Sequence, residues 1–445
     1  MLYLTNTLTQ KKEEFKSLTH AKIAMYVCGI TPYDYSHIGH GRCYVTFDLL
    51  YRFLTFSGYQ VEYARNFTDI DDKILKRAQQ EFGDKNKYMQ ISQRYMDAYT
   101  QDMEQLNCLT PTYQPTVTGT IPQIIDFVQR LVQQGVAYEL DGSVYFRVTS
   151  FKNYGALSKQ TICDLKAGAR VDVDETKLDA LDFALWKKDD EVGFDSPWGK
   201  GRPGWHIECS AMAQDICKRG LDIHAGGMDL MFPHHENEIA QSESLYPAPF
   251  ARYWLHNAFV RINKEKMSKS LGNFFTLREI FEKFDPMVIR FYFLKHHYRN
   301  PLDFSFDDLQ AAQSAYERIV KFFSDVIAPE SLELSLVKNN EFVQPLVAAL
   351  QDDLNTSELF GALFSSMPRL HDDLVSKSLV KYFMIQVLGL RLTPIAHQQV
   401  VITAEIETLL AQREQARKEK NWALSDKIRD QLSELGYQVH DKKLK

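Results

Sequence analysis

Ile23, Met25 and Val27 place apolar side chains at every second position, which predicts a strand ending at Cys28-Gly29. The turn-forming run Thr31-Pro32-Tyr33-Asp34 leads to His37, and from Gly41 to Phe56 the residues Tyr44, Phe47, Leu50 and Leu54 recur at helical spacing. Gly58 stands beyond the end of that helix, and Val61, Tyr63 and Phe67 alternate again. Strand, helix and strand in this order predict a βαβ unit and a parallel sheet. Ligands of such sheets gather at the carboxyl ends of strands, and phosphates favour a helix N-terminus, where unpaired N–H groups and the dipole attract negative charge. Cys28 to His40 occupies that corner.

A more polar, turn-punctuated stretch runs from about Thr110 to Lys200, with Gly142, Gly155, Gly168 and the acidic Asp172-Val173-Asp174-Glu175. It reads as an insertion into the α/β domain. The α/β pattern resumes at Gly204-Trp205-His206-Ile207-Glu208-Cys209 and reaches a glycine-rich loop, His224-Ala225-Gly226-Gly227-Met228-Asp229. After Phe304 the spacing turns helical, as in Leu309, Ala312, Ile319 and Phe322. The chain carries no internal repeat.

At 445 residues the chain exceeds what one core organises, and about three domains are expected. The beginning, Met1-Leu2-Tyr3-Leu4-Thr5, runs at once into Lys11, Lys12, Glu13 and Glu14 and lacks a signal peptide's apolar run. No apolar stretch is long enough to span a bilayer. Six scattered cysteines favour reduced thiols and a cytoplasmic protein, so a cysteine with a role is more readily a ligand than half of a disulfide. A net charge of −6 argues against coating nucleic acid by global attraction. An RNA partner would need a local basic surface, for which the end offers Arg413, Arg417, Lys418, Lys420, Lys427 and Arg429, interleaved with acids as on a solvated helix.

Two segments suit phosphates. His37 and His40 are three apart at a helix start, which turns both imidazoles to one face, while Gly39 leaves room for a nucleotide against the backbone. Lys266 and Lys269 repeat the spacing in Lys266-Met267-Ser268-Lys269-Ser270, a loop suited to closing on phosphates. A Walker-type loop is absent: Gly193 to Lys200 has the wrong spacing. Taken singly, the histidines also read as a capping pair and the lysine run as a solvated loop. Metal-binding residue types occur at Cys28, Cys209, His234 and Glu238, the last two at i,i+4 spacing, whereas His235 and Glu236 point in other directions. On spacing alone such a His/Glu pair is also an ordinary ion pair, and two distant cysteines are also core residues.

His37-Ile38-Gly39-His40 and Lys266 to Ser270, in this order across an insertion, resemble the two signatures of class I aminoacyl-tRNA synthetases. Met25 to Gly29, Gly204 to Cys209, His224 to Asp229 and Phe232 to Glu238 resemble the cysteinyl-tRNA synthetase family. So do Gly168-Ala169-Arg170, Leu181 to Lys187, His297-Tyr298-Arg299 and Asp352 to Thr356, so the resemblance spans nearly the whole chain. It implies an α/β fold: a Rossmann-type parallel-sheet catalytic domain (1–115 and 201–305) split by an inserted connective region (116–200), a C-terminal helical bundle (306–395) and a small tRNA-binding end (396–445). The implied activity is ATP-dependent activation of L-cysteine and transfer to tRNA(Cys), by a cytoplasmic monomer without membrane contact. His37, His40, Lys266 and Lys269 are then catalytic, and His37, Gly39, His40 and Lys269 bind ATP, which Mg2+ accompanies. One zinc ion is implied on Cys28, Cys209, His234 and Glu238, joined by the substrate's thiolate. Gly29, Thr31, Thr68, Trp205 and Asp229 are implied to hold the amino acid, although Trp205 also suits a core and Thr68 a helix cap. Pro32 departs from the small or β-branched residue expected there, and the end, Gly436 to Lys445, lacks the arginine-containing tail expected of bacterial members.

Overall fold

The computed structural model describes residues 1–161, 177–218, 220–262, 265–266, 274–330, 332–395, 404–419 and 421–434. The chain divides into two compact units, Met1–Pro394 and Ile395–Lys445.

The first unit opens with a hairpin of β1 (Tyr3–Asn6) and β2 (Lys11–Glu14), followed by β3 (Lys22–Ile30), helix α1 (Ile38–Ser57) and β4 (Gln60–Phe67). β3 and β4 pair in parallel, with Met25 opposite Tyr63, so the predicted βαβ unit forms. Gly58 closes α1 at φ 104°, a left-handed conformation that costs glycine nothing, and its N–H is donated back to Leu54 and Thr55. Helices α2 (Asp72–Phe82), α3 (Tyr88–Gln105) and α4 (Ile121–Gln133) come next. They lead to an antiparallel sheet of β5 (Ala137–Leu140), β6 (Ser143–Phe146), β7 (Phe183–Lys188) and β8 (Gly201–Pro203). Then come α5 (Ile207–Ile216), β9 (Leu221–Gly227), α6 (Glu236–Leu245) and β10 (Ala251–Asn257).

The main sheet has the order β10-β9-β3-β4, parallel throughout. The chain leaves β3 toward β4 on one side and returns to β9 on the other, so a crevice opens outside the carboxyl ends of β3 and β9. Part of the stretch read as inserted belongs to the core of this domain. Ile124, Phe127 and Val128 of α4, and Val144, Phe146, Leu185 and Trp186 of β6 and β7, share a core with Tyr26 and Trp254, while β5 to β8 pair as a sheet of their own. An amphipathic helix in a polar context gives no sign of which layer it covers.

A small sheet of β11 (Val260–Ile262), β12 (Glu265–Lys266) and β13 (Leu302–Phe304) encloses α7 (Leu277–Phe281) and α8 (Pro286–Leu294) in sequence. Helix α8 packs on α1, which explains why α1 is buried on nearly all sides rather than on the single stripe its spacing suggested. Asp48 and Arg52 on α1 are buried with Arg290 of α8, and Asp48 accepts hydrogen bonds from both arginines. Five helices follow: α9 (Phe306–Phe322), α10 (Leu334–Lys338), α11 (Gln344–Gln351), α12 (Thr356–Leu370) and α13 (Leu374–Gln386). The second unit contains α14 (Ala404–Lys418) and α15 (Trp422–Glu434), which share a core of Ile406, Ile428 and Leu432. Among the described residues, no helix is long and apolar enough to cross a membrane.

Candidate active site

Chain reversal after β3 delivers His37 to the N-terminus of α1. The His37 and His40 rings stack with centroids 3.7 Å apart, and each accepts the other's backbone N–H at Nδ1, both at 3.3 Å. A neutral imidazole that accepts at Nδ1 carries its proton on Nε2, so both rings are set as donors. Capping thereby fixes the tautomer that a hydrogen bond to an acceptor such as a phosphoryl oxygen would require. Beside them, Ile38 N–H donates to Phe275 and Leu277 N–H to Ser36, which ties the start of α7 to this turn. Lys266 lies in β12, whose register pairs it with Arg261; its side chain, Lys269 and the rest of the signature lie outside the described residues.

A cleft of about 400 Å³ opens here, lined by His37, Gly39 and His40 together with Gly29, Thr31, Thr68, Trp205 and Asp229. Cys28, Cys209 and His234 line its inner wall. Trp205 is 40% exposed and belongs to the cleft rather than to a core. Thr68 caps no helix, since Asp71 caps α2; its hydroxyl donates to Glu208, 3.1 Å away. Burial, then the charge of Asp71, holds the Glu208 carboxyl well above the usual range. Gly29 donates its N–H to Asn66 at 2.9 Å.

Behind this wall the four expected metal-binding residues meet. Cys28 Sγ lies 3.9 Å from Cys209 Sγ and 3.7 Å from Glu238 Oε1, and His234 Nε2 lies 3.1 Å from Glu238 Oε1. A tetrahedral metal centre with bonds to sulfur of about 2.3 Å places two ligand sulfurs about 3.8 Å apart, so the donor set fits such an ion. Burial pushes the Cys28 thiol up and the His234 imidazole well down, leaving a neutral ring with a lone pair.

Sequence reasoning missed three further histidines. His235 Nε2 lies 3.3 Å from Cys28 Sγ, and His224 Nε2 lies 2.7 Å from Glu238 Oε2. His235 Nδ1 in turn meets His256 at 2.8 Å, and His256 meets Thr7 at 2.8 Å. Cys28, His224, His235 and Glu238 therefore also lie close enough to share an ion. The two sets differ in access: Cys209 and His234 line the cleft, whereas His224 and His235 do not. An ion that meets a ligand in the cleft sits with the first set, and His224 and His235 then orient Glu238 and Cys28. The expectation that His235 points elsewhere fails because α6 begins only at Glu236, after an irregular turn over Met231–His235 with Phe232 extended. The signal for the others was the parallel pairing of β9 with β10, which sets Trp254 beside His224 and His256 beside Gly226.

Residues 14–314 match the family model described as tRNA synthetases class I (C) catalytic domain, and residues 401–445 that of the cysteinyl-tRNA ligase anticodon binding domain. The chain is 46% identical to a cysteine–tRNA ligase of Geobacillus thermodenitrificans over 96% of its own length and 95% of the relative's. It is 45% identical to a cysteine–tRNA ligase of Bacillus cytotoxicus, covering 99% and 97%. Among solved structures, Mycobacterium tuberculosis methionyl-tRNA synthetase in complex with methionyl-adenylate shares the fold, with a TM-score of 0.61 at 13% identity over 83% of this chain and 92% of that one. An Agrobacterium radiobacter LeuRS in a ternary complex with tRNA and LeuAMS does so at 0.59 and 12%, covering 85% of each chain.

Proposed function

The chain belongs to the cysteine–tRNA ligase family of class I aminoacyl-tRNA synthetases, and on that footing we propose how its residues divide the reaction between them. The protein is an ATP-dependent ligase that activates L-cysteine and transfers it to tRNA. In the first step a carboxylate oxygen of cysteine attacks the α-phosphorus of ATP and the bond to pyrophosphate breaks, giving cysteinyl-adenylate. In the second, a hydroxyl of the terminal adenosine of tRNA(Cys) attacks the acyl carbon and AMP leaves. Charge on the phosphoryl oxygens grows as the first step proceeds, so positioned donors lower its barrier more than a covalent nucleophile would. His37 and His40 present Nε2–H donors to those oxygens, and Gly39 lets the nucleotide lie against the backbone. Lys266 and Lys269, together with Mg2+, meet the remaining phosphates. Thr68, held by Glu208, and Gly29, Thr31, Trp205 and Asp229 receive the ammonium and carboxylate of the amino acid.

Cys28, Cys209, His234 and Glu238 are the residues to hold zinc. Zinc held there would supply a borderline-soft Lewis acid, toward which a cysteine thiolate is a far better donor than a serine hydroxyl. An apolar pocket separates near-isosteres by only about 1–3 kcal/mol, so packing alone does not provide this choice. The observation that carries the reading is one cleft lined by the stacked His37–His40 pair and by three of the four metal-binding side chains. The reading also takes the protein to be cytoplasmic and a monomer, the latter tested by sedimentation at working concentration. Purified protein should charge tRNA with labelled cysteine and leave serine uncharged at tenfold excess. Attachment of cysteine to a sugar amine with none on tRNA would overturn it.

A further inference from the structure

Arg42 stands two residues beyond His40, at the start of the second turn of α1, with 1% of its surface exposed. Among the described residues its guanidinium is held by main-chain carbonyls alone. Nη1 donates to Ala258 at 3.1 Å and Phe259 at 3.0 Å, and Nη2 to His297 at 3.3 Å, Tyr298 at 3.4 Å and Asn300. Nε has no partner among the described residues. Burial lowers its pKa to about 10, against upward pulls from Tyr292 and Cys43, and among the described residues no carboxylate offsets the loss of water. Such an arrangement is an expensive way to join two segments, and a buried ionic group is best justified where it fixes a register.

The segments it joins bear on the nucleotide site. Ala258 and Phe259 form the break between β10 and β11 and line the same cleft as His37 and His40. The turn 297–300 lies just before β13, and the two segments also meet directly, through Ala258 N–H to Tyr298 and Leu302 N–H to Phe259. β11 continues into β12, which ends at Lys266. One side chain rooted just beyond the His37–His40 turn therefore grips the wall from which the lysine-bearing strand departs.

We infer that Arg42 is a positioning residue for adenylate formation, setting the distance between the His37–His40 turn and the 258–260 wall so that phosphate-binding groups from both halves of the site reach one nucleotide. The inference rests on the nucleotide site proposed above. Arg42 touches no substrate; it acts through Ala258 and Phe259. Lysine at this position keeps the charge but cannot span two groups of carbonyls with a planar fork.

The test is pyrophosphate exchange into ATP by full-length wild type, Arg42→Lys and Arg42→Gln, with circular dichroism and bound-metal content on the same samples. Wild type must first show cysteine-dependent exchange; failure there sinks the functional reading and not the role of Arg42. Arg42→Lys is expected to lose about 100-fold in kcat, the order associated with a displacement near 1 Å, and to raise KM for ATP. KM for cysteine and bound metal should stay within twofold, because Cys28, Cys209 and Thr68 lie on other elements. Arg42→Gln should fall further along the same split. Wild-type kcat and KM for ATP in Arg42→Lys would overturn the inference. A parallel loss of cysteine affinity and metal, or outright unfolding of both variants, would overturn it equally, since either makes Arg42 a general stability residue.

Discussion

A Cβ built on Gly29 lies 1.6 Å from the carbonyl oxygen of Asn66, where β3 and β4 close on each other at the rim of the cleft. No side-chain rotation relieves a clash with backbone, so Gly29→Ala must push the strands apart. About 1–3 kcal/mol of stability should be lost in chemical denaturation, with at least a tenfold fall in cysteine-dependent exchange. Wild-type values for both would show that the strand ends are free to move. Cys209→Ser replaces a soft donor 3.9 Å from Cys28 Sγ and is expected to lower bound metal and exchange together; exchange that persists without metal would separate the two. At this scale the sequence was legible where chemistry is compressed into a short string, as in His37 to His40. Beyond such strings it was not, because His224 reaches Glu238, and His235, backed by His256, reaches Cys28, through strand pairing and an irregular turn, neither of which leaves a periodic trace.

Between elements, two buried carboxylates act as anchors. Asp353, with 4% of its surface exposed, accepts from Thr5 N–H at 2.8 Å, Thr5 Oγ1 at 2.6 Å, Tyr298 at 2.8 Å and Arg299 at 3.1 Å. It thereby joins β1, the turn before β13 and the loop after α11. Asp353→Ala removes the acceptor of Thr5 N–H, Thr5 Oγ1 and Tyr298, leaving Arg299, among the described residues, only its bond to Thr5 Oγ1, and should cost about 1–3 kcal/mol in urea unfolding. No change would mean that water replaces it. The strings His297-Tyr298-Arg299 and Asp352-Asp353 were visible in the sequence, but their contact with each other and with Thr5 was not. Asp102 on α3 is fully buried, meets Arg278 of α7 at 3.0 Å and keeps Oδ2 without a partner among the described residues. Burial, only partly offset by Arg278, raises its pKa from 3.8 to about 6. A folded value above the unfolded one means that ionisation costs stability: the penalty is absent below about pH 4, grows as pH rises to 6 and is complete above it. Asp102→Asn should therefore gain on wild type across that window, by at most about 3 kcal/mol and by less for the solvent screening at Arg278. A difference that does not vary between pH 4 and 7 would contradict the assignment.

For the molecule as a whole, periodicity announced the α/β start and the helical half, since both depend on local patterns that a single stretch contains. The layering did not show, because α4 sits in a polar context yet joins the core that holds Tyr26 and Trp254, packing on α5 and α6. The chain divides at Pro394, and residues 401–445 match an anticodon-binding domain. Ending the chain at Pro394 should therefore leave cysteine-dependent exchange within a few-fold of the full protein and abolish charging of tRNA; loss of exchange would show that the first unit does not stand alone. The central claim is that phosphate-binding groups drive the chemistry while an adjacent metal selects the substrate. Its most direct test is pyrophosphate exchange by metal-depleted full-length protein, with cysteine or serine, before and after one equivalent of zinc is restored. The account predicts no exchange without metal, and exchange with cysteine alone once zinc returns. Full exchange with cysteine in the depleted protein, or equal exchange with serine in the restored one, would contradict it.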